Sequence, residues 1–341
     1  MTNMAAKKTN KPISISEGPG YHNLAERMKN GLIGQNEAVD EICPFLEIYQ
    51  AGLAMEGRPA AIFMLLGPTG SGKTLSAERL AECLHGSKNN LLRIDCGEFQ
   101  SDHEVAKLVG APPGYLGHKE TVPLINTQKL LNITSPYSGL GIILFDEIEK
   151  AAPALTRMLL GVLDKATLKL GDNSTVNFEN TLIMMTSNIG ADQLNKESNP
   201  SLGFGAFSEP VPVTASRLSA IGTNSAKKRL PPEFMNRIDC VITYKPLSRE
   251  NIDDILDIEL AEVEKHIGKQ MPGFHIALTT QAREWIIENG FSKEYGARNL
   301  KRLIRKEILF PVAKLINKRE IFEGDTARFA LKQNTLDLTV A

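Results

Sequence analysis

From Tyr21 onward apolar residues recur at three- and four-residue steps: Leu24, Met28, Leu32 with Ile33, Ala38 with Val39, Ile42, and Phe45 with Leu46. That period predicts helices with one buried face. After the polar break Glu56-Gly57-Arg58-Pro59 the pattern changes to a short apolar run, Ile62 to Leu66, which Gly67 and Pro68 end and a helical stretch from Gly72 to Leu84 follows. Three more such runs, Leu91 to Asp95, Gly141 to Phe145 and Thr181 to Thr186, are separated by helical patterns. Short apolar runs alternating with helices predict an α/β fold, a parallel sheet flanked by helices on both faces. Between Asn195 and Ala226 Ser, Pro, Gly, Asn and Thr dominate and periodicity fades, which predicts a long surface loop. Beyond Val241 to Tyr244 and Pro246 the helical period returns at Ile252 to Val263, Ala282 to Asn289 and Arg298 to Lys318. The expected organisation is a tail at 1–20, a large α/β domain at 21–246 and a small, mostly helical domain at 247–341, closed by the apolar segments Arg328 to Leu331 and Leu336 to Thr339.

Composition narrows the function classes. With 341 residues, 42% hydrophobic and 23% charged, the chain carries enough apolar material for about two folded domains. Its 39 Lys and Arg balance 40 Asp and Glu, for a net charge of −1, so no global field draws it to nucleic acid or to an anionic membrane. The longest wholly apolar run, Ala60 to Leu66, is far short of the roughly 20 residues that cross a bilayer. Met1 to Gly20 has no apolar stretch behind its lysines and reads as a flexible tail rather than a leader. Cys43, Cys83, Cys96 and Cys240 are widely spaced, which suits reduced, mostly buried thiols in a cytoplasmic protein and gives no metal-ligand pair.

Candidate chemistry begins at Gly67-Pro68-Thr69-Gly70-Ser71-Gly72-Lys73-Thr74. It matches the phosphate-loop pattern G-x-x-x-x-G-K-S/T, with a predicted strand before it and a helix after it. Glycines let backbone N–H groups turn toward phosphates, the helix N-terminus adds partial positive charge, Lys73 reaches the terminal phosphates and the Thr74 hydroxyl can ligate Mg²⁺. The third strand runs into Asp146-Glu147, at the carboxyl end of the sheet where such folds bind ligands. There Asp146 would hold Mg²⁺ and Glu147 would polarise an attacking water. The fourth strand ends at Thr186-Ser187-Asn188, and that amide either contacts the γ-phosphate or simply forms a turn.

With these motifs on the page the chain resembles an AAA+ ATPase, in particular the second ATPase module of the Clp unfoldases ClpA, ClpB and ClpC. The resemblance covers residues 24 to 338 and is carried by Leu32-Ile33-Gly34-Gln35, the phosphate loop, Arg93-Ile94-Asp95, Leu108 to Gly117, Leu144 to Lys150, Met185 to Asn188, Pro232 to Asp239 and Tyr295-Gly296-Ala297-Arg298. It implies an AAA+ P-loop NTPase fold, ATP and Mg²⁺ as ligands, and a homo-oligomeric ring, usually of six. By resemblance Ile33 and Gly34 pack the adenine and Asn188 is the sensor 1 residue. Arg237 falls on the arginine finger that reaches a neighbouring subunit's nucleotide, and Arg298 on sensor 2. A surface ion pair of Arg237 with Glu233 or Asp239 is the alternative.

Gly114-Tyr115-Leu116-Gly117 falls, by resemblance, on the loop that lines the central pore, where Tyr115 and Leu116 would grip a polypeptide; Asp164 to Thr175 corresponds to a second pore loop. Leu202-Gly203-Phe204, inside the Ser-rich interval, resembles the tripeptide that docks on a ClpP-like peptidase; a folded-back loop burying Leu202 and Phe204 is the other reading. The implied function is an ATP-driven unfoldase that threads polypeptide and delivers it to such a peptidase. Two alternatives stay open: an assembly switch with slow turnover, and a nucleic-acid motor suggested by the basic run Lys301 to Lys306, against which the near-zero net charge speaks.

Overall fold

The computed structural model describes residues 18–110, 123–198, 215–292 and 296–340, the side chains of 195–198 and 215 excepted. Its centre is a five-stranded sheet. Strand β1 (Ala61–Leu66) enters the phosphate loop; β2 (Leu92–Asp95) and β3 (Gly141–Asp146) follow. A small antiparallel hairpin, β4 (Thr167–Lys169) and β5 (Thr175–Asn177), precedes β6 (Thr181–Ser187) and β7 (Cys240–Thr243). The order in the sheet is β2-β3-β6-β1-β7, and every neighbouring pair is parallel.

Alternation along the central strands explains why they read as unbroken apolar runs. Ile62, Met64 and Leu66 of β1 face one core, and Ala61, Phe63 and Leu65 face the other; β3 and β6 divide in the same way. Both faces of a parallel sheet are therefore buried, so polar residues have no solvent side to occupy. One face is covered by α1 (Leu24–Gly31), α2 (Asn36–Gln50) and α3 (Lys73–His85), through Met28, Ile42, Leu46 and Leu80 among others. There Phe45 meets Phe63 edge-on, with ring centroids 5.2 Å apart. The opposite core takes side chains from α4 (Ala106–Val109), α5 (Thr127–Ile133) and α6 (Pro153–Lys165).

The interval expected to be a loop from Asn195 to Ala226 is in part helical: α7 (Ala191–Ser198) opens it and α8 (Ala215–Arg229) closes it. Small polar residues hid α8 because the helix lies tight on the sheet. A Cβ on Gly222 would stand 2.6 Å from Thr243 Oγ1 and 3.4 Å from a methyl of Leu66. That approach selects small side chains, whose low helix propensity is outweighed by the burial of Leu218 and Ala226. Leu202, Gly203 and Phe204 lie outside the described residues, as do Tyr115 and Leu116 and the greater part of the 1–20 tail.

After α9 (Pro232–Met235) and β7 the chain builds a third core. Helix α10 (Arg249–Gly268) starts with a reciprocal cap, Ser248 and Asn251 each accepting the other's backbone N–H. Then come β8 (His275–Leu278), α11 (Thr280–Gly290), α12 (Arg298–Ile304), a π-helical turn Arg305–Leu309, α13 (Phe310–Asn317), β9 (Thr326–Lys332) and β10 (Thr335–Val340). Ile252, Leu256, Ile286, Leu300, Ile308 and Phe329 pack together inside it. The two closing apolar segments are β9 and β10, joined by β8 in a three-stranded sheet. No described helix is long and apolar enough to cross a membrane.

Candidate functional site

Strand β1 delivers the chain into a loop that only a glycine can begin. A Cβ on Gly67 would lie 2.8 Å from both the Cβ and the carbonyl oxygen of Tyr244. Gly70 and Gly72 take φ of 74° and 104°, the left-handed region that glycine enters without strain. The loop then becomes α3, whose first residue is Lys73. Its side chain folds back over the loop: Nζ donates to the carbonyls of Gly67 at 2.7 Å and Pro68 at 2.8 Å and to Asn188 Oδ1 at 3.0 Å. Lys73 is only 7% exposed, and burial lowers its pKa to about 8, against the pull of Glu149, Asp146 and Glu147. An ammonium buried and, among the described residues, bonded to neutral oxygens, beside glycines that open the backbone, fits a polyphosphate anion.

Two carboxylates stand opposite. Buried Asp146 accepts from Thr74 Oγ1 at 3.2 Å, from Arg93 Nη2 at 2.5 Å and from the Thr186 hydroxyl. One hard carboxylate oxygen and one hydroxyl oxygen side by side suit Mg²⁺, which takes few protein ligands and completes its shell with water and phosphate. Glu147 sits at φ 58° and ψ 51°, a left-handed position costly for a non-glycine residue. It is held there by its own N–H, which donates to Thr186 Oγ1 at 3.0 Å. Its carboxylate accepts from Lys150 Nζ at 2.5 Å and, at 3.4 Å, from Asn188 Nδ2; the short bond to Glu147 raises the pKa of Lys150.

Asn188 therefore links the two halves of the site, its Oδ1 to Lys73 and its Nδ2 to Glu147. Adjacent parallel strands explain this convergence: β1, β3 and β6 are neighbours and all end on one edge.

The remaining expected residues are spread around this centre. Half-buried Ile33 and Gly34 form the turn between α1 and α2. Gly34 has φ 76°, and a Cβ there would be 2.7 Å from Asn251 Oδ1 on α10. A cavity of about 330 Å³ opens beside the loop, between Pro68 to Ser71, Pro246 to Arg249, Phe291 and Gly296. Arg298, the first residue of α12, is exposed and acts on Lys73 as a like charge. Arg237 makes its contacts elsewhere: Nη1 donates to the Glu233 carbonyl at 2.6 Å, and Nε lies 3.5 Å from Asp164 at the end of α6. The alternative partner Asp239 pairs with Arg58 instead.

Several participants carried no assigned role in the sequence. Gln35, 2% exposed, donates from Nε2 to the carbonyls of Ser71 and Lys245 and accepts the Lys245 N–H; it pins the phosphate loop to the connector. Tyr244 donates to Ser76 on α3, and Arg93 and Thr186 hold Asp146. Their identities lay inside or beside recognised motifs, but the partners that give them meaning are 36 to 210 residues away.

Comparison with known proteins places these elements. Residues 58–241 match the family described as AAA domain (Cdc48 subfamily), and residues 247–329 match the C-terminal, D2-small domain, of ClpB protein. The ATP-dependent Clp protease ATP-binding subunit ClpE of Lactococcus lactis is 40% identical over 286 residues, 84% of this chain and 36% of that protein. The probable chaperone protein ClpB 1 of Chlorobaculum tepidum is 33% identical over 339 residues, 98% of this chain and 74% of that one. A solved structure titled as the closed-state cryo-EM reconstruction of Hsp104 with ATPγS and FITC casein superposes with a TM-score of 0.75 at 29% identity, covering 93% of this chain and 51% of its own. The chain spans about a third of the length of several relatives it matches, 36% of ClpE and 37% of a staphylococcal ClpC.

Proposed function

Since the chain belongs to the AAA+ ATPases, as an AAA domain of the Cdc48 subfamily followed by a ClpB-type small domain, we propose that it hydrolyses ATP with Mg²⁺ in a homo-oligomeric ring and uses the turnover to thread polypeptide. One observation carries the proposal: a single side chain, Asn188, is bonded to the phosphate-binding lysine at 3.0 Å and to the carboxylate that would activate water at 3.4 Å.

Each residue's work follows from its place. The loop from Pro68 to Gly72 offers backbone N–H groups to the phosphates. Lys73 exchanges its carbonyl partners for terminal phosphate oxygens, which relieves a buried charge that has no anion at bonding distance among the described residues. Thr74 and Asp146 would hold Mg²⁺; bound there, the ion supplies neutralisation of charge on the terminal phosphates. Glu147 accepts a proton from the attacking water and Asn188 orients that water. Ile33 and Gly34 sit where an adenine would pack, and Arg298 supplies a second cation from the small domain. Arg237, which contacts Glu233 and Asp164 and is bonded to none of Lys73, Glu147 and Asn188, would serve the nucleotide of an adjoining copy.

The motor part rests on the relatives. The Hsp104 structure is titled with casein and ATPγS, and ClpE is named as a protease ATP-binding subunit. For this chain we infer polypeptide substrates gripped by Tyr115 and Leu116, and docking on a ClpP-like peptidase through Leu202, Gly203 and Phe204. A slower assembly switch is the second reading, favoured by the Lys150 bond that engages Glu147. Steady-state ATPase assays with casein or DNA added separate the readings. The motor requires casein to stimulate turnover and Glu147→Gln to bind ATP yet lose about 10² or more in kcat; an unchanged rate in Glu147→Gln removes the base assignment, and stimulation by neither polymer favours the switch.

A further inference from the structure

The turn after β3 carries a third acidic side chain, beyond the two given roles above. Glu149 Oε1 accepts the backbone N–H of Asn188 at 2.9 Å, whereas its Oε2 is buried without a hydrogen-bond partner. Of the charges acting on the Lys73 ammonium, that of Glu149 is the largest. The carboxylate thus stands inside the site while touching neither Lys73 nor Glu147 by any hydrogen bond described.

Its effect is on the backbone. Asn188 is the first residue beyond β6, past the last registered pairs Phe145↔Met185 toward β3 and Leu66↔Ser187 toward β1. No ladder bond fixes it. Its carbonyl accepts the N–H of Ala191 in the turn that follows, and its own N–H is held by Glu149. A few tenths of an ångström there decide whether the Asn188 amide reaches Lys73 and Glu147 together, since the second bond is already 3.4 Å long and hydrogen bonds weaken steeply with misalignment. An unpaired buried carboxylate oxygen is destabilising. The clamp needs an acceptor oxygen at that reach, which a neutral amide of the same length also offers and an alanine does not.

We propose that Glu149 is a positioning residue for hydrolysis: it clamps the end of β6 so that Asn188 bridges the phosphate-binding lysine and the general base. The inference rests on the site reading proposed above. It acts through Asn188 and needs no contact with nucleotide.

The test measures kcat, KM for ATP and the Kd of a fluorescent ADP analogue for the full chain and for Glu149→Ala, Glu149→Gln, Asn188→Ala and the double alanine variant. Loss of a charged acceptor for a backbone N–H is expected to lower kcat of Glu149→Ala about tenfold with Kd within about twofold. Glu149→Gln retains an acceptor oxygen and should recover to within about threefold of wild type. In the double variant Glu149→Ala should cost less than about twofold beyond Asn188→Ala, because no amide remains to be placed.

Wild-type kcat in Glu149→Ala, equal losses in the Ala and Gln variants, or full additivity in the double variant overturns the proposal. If Asn188→Ala turns over as fast as wild type, or the unaltered chain hydrolyses no ATP, the site reading itself falls and this inference with it. Should thermal melting show that Glu149→Ala does not fold, Glu149→Asp is read in its place: it keeps the charge but withdraws the acceptor, and the same tenfold loss is expected.

Discussion

At the far end of α3 from Lys73, His85 shows burial overriding a favourable field. A cation in the last turn of a helix is attracted by the carboxyl-end dipole, yet His85 is 8% exposed and its Nδ1 lies 2.8 Å from the Asn90 carbonyl. Burial lowers its pKa below the ordinary 6.5. The unfolded chain therefore takes up a proton near pH 6.5 that the folded chain refuses until lower pH. Stability contributed by the neutral ring is full above that point and is lost as pH falls below it, at no more than about 1.4 kcal/mol per pH unit. Urea titrations between pH 5 and 7.5 should show a shallower pH dependence in His85→Gln than in wild type; equal slopes would refute the assignment. Other single residues were legible to different degrees. Lys73, Thr74, Asp146 and Glu147 were readable because each occupies a fixed offset from a strand end, whereas Asn188 was left open by its position and took a role only from the resemblance; the structure brings all five together. Thr186, which donates to Asp146 and accepts from Glu147, was not, since a threonine at a strand end is ordinary until its neighbours across the sheet are known.

Among the elements, the link between phosphate loop and small domain is made by backbone contact. Gly296 has φ 56°, and a Cβ there would be 2.8 Å from the Thr69 carbonyl oxygen and 3.0 Å from that of Gly70. Gly296→Ala must either push α12 away from the loop or distort the loop. Left-handed strain of about 1 kcal/mol or more adds to the clash. Nucleotide affinity should fall about tenfold or more, while the melting of the small domain's own core, Leu256, Ile286, Leu300 and Phe329, shifts little; titration with a fluorescent ADP analogue alongside calorimetry reads both, and wild-type affinity would show that the contact is dispensable. The same closeness explains what the sequence concealed. Three of the four apolar runs, β1, β3 and β6, announced themselves because both faces are buried, whereas edge strand β2 exposes Arg93 and Asp95. Helix α8 did not, because its approach to Leu66 and Thr243 admits only small residues such as Gly222, and these give a weak helical period. The π-helical turn Arg305–Leu309 was likewise invisible, being one extra residue within an otherwise continuous helical pattern.

For the molecule as a whole, the placement of its arginines asks for a second copy. Lys73, Asn188 and Glu147 form one connected cluster, while Arg237 is tied to Glu233 and Asp164 through α9 and α6 and is bonded to none of the three. A cation supplied to the γ-phosphate is worth about 10³ to 10⁵ in rate in other nucleotide hydrolases, so a lone chain with this arrangement should be a poor catalyst and its specific activity should rise with concentration. Complementation distinguishes an intermolecular arginine from a structural one. Lys73→Ala chains cannot bind nucleotide but keep Arg237; Arg237→Ala chains bind it but lack the cation. Each alone should be nearly inactive. Mixed in equal amounts, they place some intact nucleotide sites beside an intact Arg237, and activity should return to about a quarter of the wild-type value or less if neighbours assort at random. If Arg237 serves its own chain, no mixture restores anything, because every assembled site is then defective in the lysine or in the arginine that belongs to it.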